Sequence, residues 1–151
     1  ELDAIGLIQP MYIHSDMGIA DDRVGDRMKT SYCYNTMRKM GIRLAAGSDL
    51  PIESPKVMEA IQVSVTRKNL SGWPEGGWHP EEAFDVLDAV KLHTVNGAYV
   101  SKDENKYGSI EVGKQANFVL LSGDVFEVEK DKIKDIEILE TYIDGESVYK
   151  K

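Results

Sequence analysis

Two short apolar runs that stop abruptly set the strongest limit on the fold. Ala4–Gln9 (AIGLIQ) ends at Pro10, and Ile42–Ala46 (IRLAA) leads into Gly47-Ser48-Asp49. Apolar runs of this length, without alternation, read as strands buried on both faces, as in parallel sheets. Parallel neighbours need a long crossover between them. The interval supplies a helical pattern from Thr30, with Cys33, Met37 and Met40 at i, i+4 and i+7 and Gly41 placed to close it. Residues 11–29 read as irregular, interrupted by Gly18 and Gly25.

Beyond the second run, Pro51 and Pro55 mark a loop, and Met58, Ile61 and Val65 give a second helix one apolar face. Residues 69–80 form a Gly/Trp/Pro loop. Pro80-Glu81-Glu82 reads as the start of a third helix, with Ala83, Val86, Leu87 and Val90 as its stripe. Past about residue 101 the period shortens. Ser109–Val112, Asn117–Leu121, Ile136–Tyr142 and Ser147–Tyr149 are strand candidates, and Asp144-Gly145 is a strong hairpin signal. The fold class expected is α/β followed by β.

With 151 residues, 42% apolar and 29% charged, the chain reads as soluble and globular. The net charge of −8 is shared evenly between 1–100 and 101–151, with no basic stripe. Capture of nucleic acid or of an anionic membrane is therefore disfavoured. A single cysteine, Cys33, excludes an internal disulfide framework and a Cys-rich zinc module. No apolar run approaches the roughly 18–20 residues of a membrane helix. The chain starts at Glu1 without Met, and we read it as a cut-out of a longer protein, expected to be cytoplasmic, with any targeting signal upstream.

Asp49 is the sharpest chemical candidate. It closes an apolar strand behind two small residues, and carboxyl ends of barrel strands face the active-site mouth. The plain alternative is a turn or capping aspartate before Pro51. His14 and Asp16 follow the first strand in the same sense and can reach the same end, although a single loop histidine is more often a surface or packing residue. His79 stands at the start of the third helix and His93 on it. No H-x-H, H-E-x-x-H, C-x-x-C, G-x-G-x-x-G, Walker loop or G-x-S-x-G occurs. Cys33, on an apolar helix face, reads as a small hydrophobe. Trp73 and Trp78 read as packing for their loop, with a substrate lid as the alternative.

At this point the residues resemble a family. Ile8-Gln9-Pro10, Ser15-Asp16-Met17, Gly41-Ile42-Arg43 before Gly47-Ser48-Asp49, and Ala60 through Val65-Thr66-Arg67 occur in order. His93-Thr94-Val95-Asn96-Gly97-Ala98, Tyr107 through Phe118 (YGSIEVGKQANF) and Thr141-Tyr142-Ile143-Asp144-Gly145 complete it. The pattern is similar to the closing part of a metal-dependent amidohydrolase, in the branch with N-substituted formamide deformylases and exoenzyme regulatory proteins. The resemblance implies the last strands and helices of a (β/α)8 barrel over 1–100. It further implies, over 101–151, the C-terminal part of a small β-sandwich built from both chain termini.

The resemblance also implies a metal, with zinc expected, in the intact protein. Asp49 matches the family's last-strand aspartate, a metal ligand and proton shuttle, and His14 and Asp16 would line the substrate pocket. The substrate implied is a small amide or formamide, not a peptide. The remaining ligands (an H-x-H pair, a mid-barrel Lys or Glu, two further histidines) have no match here. Two departures stand out. Asn117 replaces the usual Asp, with a structural consequence only, and Tyr12 stands where the family often shows His. The alternative is a regulatory or interaction module that kept the scaffold without the chemistry. The isolated chain is expected to bind no catalytic metal and to be inactive, because one aspartate cannot supply a metal's ligand count. Its strand edges are expected to pair with another copy, giving a homo-oligomer, or to be covered by its own β segment.

Overall fold

β1 (Ile5–Ile8) and β2 (Arg43–Ala46) form a parallel pair, with Ile5 opposite Arg43 and Ile8 opposite Ala46. The computed structural model describes residues 4–151. Both strands sit where the apolar runs predict them, and each ends at its breaker. The pairing continues one step past β2, where Gly47 donates its N–H to the Ile8 carbonyl at 3.0 Å.

The crossover is more helical than the sequence suggests. Met11–Asp16 is α1, entered through Pro10; Ala20–Val24 is α2, and a 3-10 turn spans Gly25–Thr30. Residues 11–29 are thus not irregular; Gly18 and Gly25 divide them into short turns. α3 (Tyr34–Lys39) starts later than expected. Cys33 precedes it and is half-buried, rather than sitting on its apolar face. Met40, at the end of the expected stripe, is 74% exposed, because α3 has already closed and Gly41 turns the chain at φ 85°.

α4 (Val57–Thr66) buries Ile61 and Val65, as its spacing predicts. Arg67 caps it in the left-handed region and is itself buried. Its Nε donates to the Trp78 carbonyl at 2.9 Å, and its terminal nitrogen Nη1 to the Tyr32 carbonyl at 3.3 Å, so one guanidinium ties two loops together. Burial pushes its pKa down to about 10.

The expected third helix does not begin at Pro80. Pro80–Glu82 is a single 3-10 turn, Ala83 is extended, and Asp85 caps α5 (Val86–Leu92) by accepting from the Asp88 N–H at 2.7 Å. The later start rotates the buried face onto Ala89 and Leu92 and leaves Leu87 50% exposed. His93 closes α5 rather than lying on it, and α6 (Val95–Val100) follows.

β3 (Phe118–Leu121), β4 (Ile138–Ile143) and β5 (Glu146–Lys150) make an antiparallel sheet in that order. Asp144 and Gly145 both have positive φ, the requirement of a two-residue type I′ hairpin. Ser109–Val112 is no strand: Ile110 and Val112 are fully exposed and find no ladder partner among the described residues. A 3-10 turn at Lys130–Asp135 packs on α4, and its Lys134 N–H donates to Gln62 Oε1 at 2.9 Å. One apolar core holds Ile8, Leu44, Ile61 and Leu92 together with Val125, Ile133 and Ile136. A second gathers Met11, Ile13, Met28, Val63 and Trp78.

Candidate functional site

Two residues just past the carboxyl ends of adjacent parallel strands meet. Pro10 ends β1 and turns straight into α1, which carries Tyr12; Gly47-Ser48 ends β2 and carries Asp49 outward. The Tyr12 hydroxyl donates to Asp49 Oδ2 at 2.8 Å. Asp49 is exposed, has φ 56°, and its Oδ1 takes no hydrogen bond among the described residues. The Asp49 carboxylate, accepting the phenol's hydrogen bond, holds the Tyr12 pKa above its ordinary value of 10.0, with added repulsion from Glu53 and Asp16.

His14 and Asp16 ride on the same helix but bond elsewhere. His14 Nδ1 accepts from the Leu70 N–H at 3.3 Å, and Asp16 Oδ2 accepts from the Tyr32 hydroxyl. Neither is hydrogen-bonded to Asp49. Ser15 instead donates to Glu53 Oε1 on the loop that carries Asp49. Sequence reading missed Tyr12, Ser15 and Glu53 as neighbours of Asp49. The available signal was their position: two neighbouring parallel strands deliver the residues just past their ends to one place.

Behind that loop lies a cavity of about 190 Å³, lined by Gly47, Ser48, Ser54, Lys56 and His93 among others. His93 Nε2 is buried without a hydrogen-bond partner among the described residues, and burial pushes the imidazole pKa down to about 4. A second cluster sits apart from Asp49. Trp78 Nε1 donates to Asp21 Oδ2 at 2.6 Å, His79 Nε2 lies 3.1 Å from Asp21 Oδ1, and its Nδ1 lies 3.5 Å from Glu81. Those contacts, the Trp78 bond first, hold the Asp21 carboxyl below its ordinary range. Trp78 packs between Tyr32 and His79, whereas Trp73 is 53% exposed.

Among the described residues, no three His, Cys, Asp or Glu side chains are placed to hold a metal ion. Asp49 fits a single position of such a site: a hard oxygen donor, exposed, with one oxygen uncommitted. Among the described residues, no helix is long and apolar enough to cross a membrane.

Over 145 residues the chain is 37% identical to a Bacillus subtilis (strain 168) protein named amidohydrolase YtcJ, covering 95% of this chain and 27% of that one. It is 30% identical over 116 residues to the N-substituted formamide deformylase of Arthrobacter pascens, covering 77% of this chain and 21% of the deformylase. The crystal structure of an uncharacterized metal-dependent hydrolase from Pyrococcus horikoshii OT3 matches with a TM-score of 0.71 at 27% identity, over 85% of this chain and 26% of that one. The chain therefore spans about a quarter of the length of these relatives. A family model described as the amidohydrolase family matches residues 1–149, and the chain belongs to that family.

Proposed function

We propose that this chain is the closing part of a metal-dependent hydrolase that cleaves non-peptide C–N bonds, in amides or formamides. The observation that carries the reading is Asp49: an exposed carboxylate just past the carboxyl end of β2, with one oxygen held by Tyr12 and the other uncommitted. The deformylase likeness supports the substrate class. The hydrolase likeness supports the metal, which we take to be zinc. Asp49 serves as one ligand, and the other ligands come from polypeptide outside this chain. When bound, the ion supplies Lewis-acid polarisation of the scissile carbonyl and acidifies water. Asp49 accepts the attacking water's proton and returns it to the leaving nitrogen. His14 and Asp16, on α1, line the substrate side.

In this reading residues 1–100 supply the end of a (β/α)8 barrel and 101–151 the last strands of a small β domain. Val125, Ile133 and Ile136 join the two by packing with Ile8 and Leu44. The isolated chain is inactive, since one carboxylate does not satisfy a metal's coordination. It pairs with a second copy through its strand edges; Leu7 on β1 is 63% exposed. The partner in catalysis is a small amide, not a nucleic acid or a membrane, and the compartment is the cytoplasm. The test is to load the intact protein with zinc and measure amine release from a panel of N-substituted formamides and simple amides. Metal-dependent release from any of them is the expected result. Stoichiometric zinc without release from any would contradict the proposal.

A further inference from the structure

The Tyr12–Asp49 bond has a companion one helical turn along α1. Tyr12 and Ser15 are three residues apart and so share a helix face. Tyr12 donates to Asp49, and Ser15 donates to Glu53. Asp49 and Glu53 lie four residues apart on the loop between β2 and α4. Two bonds therefore fix one face of a short helix to the loop that carries the site's carboxylate.

The loop itself offers little to hold that carboxylate. Its own bonds are Leu50 N–H to Ser48 Oγ at 3.3 Å, Ile52 N–H to the Asp49 carbonyl at 2.9 Å and Lys56 N–H to Ser54 Oγ at 3.3 Å, and Ser54 Oγ donates to Glu59 Oε2 at 2.8 Å; none of them reaches the Asp49 carboxylate. A cavity of about 190 Å³ lies behind its start. Asp49 has a left-handed backbone at φ 56°, a turn conformation that aspartate adopts more readily than most non-glycine residues, so the backbone alone does not fix where its carboxylate points. Among the described residues, the one hydrogen bond that reaches its carboxylate comes from α1.

We propose that α1 is a brace for this loop and that Tyr12 is the positioning residue for Asp49. The phenol fixes Oδ2 and so leaves Oδ1 as the oxygen presented outward. Without the phenol the carboxylate rotates freely, and either oxygen presents itself. α1 is well anchored for the task, because Met11 and Ile13, which flank Tyr12, are buried in the second core. This inference rests on the reading of Asp49 as metal ligand and proton shuttle.

The test uses the intact, zinc-loaded protein with four variants: Tyr12→Phe, Tyr12→His, Ser15→Ala and Asp49→Asn. Outer contacts of a metal ligand typically carry about 10–100-fold in affinity or activity. Tyr12→Phe is expected to lower kcat by about that factor, with KM within about twofold, because the phenol acts through Asp49 and not on the substrate. Zinc affinity, read by chelator competition, is expected to weaken by about 10–100-fold. Tyr12→His keeps a donor and is expected to recover most of both. Ser15→Ala is expected to lower kcat less than Tyr12→Phe does. Full turnover in Asp49→Asn would overturn the underlying reading. An inactive Asp49→Asn beside a Tyr12→Phe with unchanged kcat and zinc affinity would overturn the brace alone. Should Tyr12→Phe lose folded protein by circular dichroism, Tyr12→His decides: weakened zinc binding equal to that of the unfolded variant overturns the proposal.

Discussion

Asn96 Nδ2 donates to the backbone carbonyl of Leu44 at 2.8 Å, joining α6 to the strand that leads to Asp49. Gly47 bonds to β1, and alternate residues of a strand point to opposite edges, so the Leu44 carbonyl lies on the edge of β2 away from β1. Arg43 reinforces the same contact, with its guanidinium 3.5 Å over the Tyr99 ring. Asn96→Ala leaves a part-buried acceptor without its partner and is expected to cost about 1–3 kcal/mol. Urea unfolding reads the cost. Asn96→Asp, which has no N–H to donate, is expected to behave alike; an unchanged midpoint in both would contradict the assigned bond.

Ile133 carries the same argument to the C-terminal part of the chain. It is fully buried, among Ile8, Leu44 and Leu92. Ile133→Ala is expected to destabilise by about 2–5 kcal/mol, in one unfolding transition seen equally by fluorescence and circular dichroism. Two separate transitions, with only the second shifted, would mean that the two parts do not share a core.

His93 gives the chain an acid-side weakness. Its folded pKa of about 4 lies below the ordinary 6.5 because burial disfavours the imidazolium. Between those values the unfolded chain takes up a proton that the folded chain refuses, so stability falls as pH drops. The contribution is fully present above about pH 6.5, is lost progressively toward pH 4, and is flat below. The loss is at most about 3 kcal/mol. Denaturant titrations at a series of pH values should show a smaller slope in His93→Gln than in the wild type. Parallel curves would contradict the buried, neutral imidazole.

Gly77 and Gly76 separate close approach from backbone strain. Both have positive φ, but a Cβ at Gly77 would lie 2.5 Å from the Thr66 carbonyl oxygen, whereas none would touch anything at Gly76. Gly76→Ala is expected to cost about 1 kcal/mol from strain alone, and Gly77→Ala more, because backbone must shift. Equal melting temperatures for the two variants would argue against the close packing of that loop on α4.

The parts of the fold that depend on local chemistry were legible. A short apolar run ended by Pro10, another ended by Gly47, and Asp144-Gly145 between two strand segments each name their structure without help from distant residues. What failed depended on partners. Ile110 and Val112 alternate as a strand would, yet among the described residues nothing lies beside them to pair with. The start of α5 moved because Asp85 is a better cap than Pro80 is a helix start, and the buried face moved with it. Asp49 stood out because small residues and a strand end precede it. Tyr12 was legible only as a departure from the family pattern, because its contact with Asp49 arises only when β1 and β2 lie side by side and their ends converge.

The central claim is that the Asp49 carboxylate does proton-transfer work beside a metal ion in the intact protein. Replacing it by its amide is the most direct measurement: Asp49→Asn, assayed for amine release from an amide substrate, with folding checked by circular dichroism. Removing a general acid–base group costs about 10²–10⁴-fold, so kcat is expected to fall by at least that factor while the folded state persists. Turnover retained at the wild-type rate in the folded variant would contradict the claim.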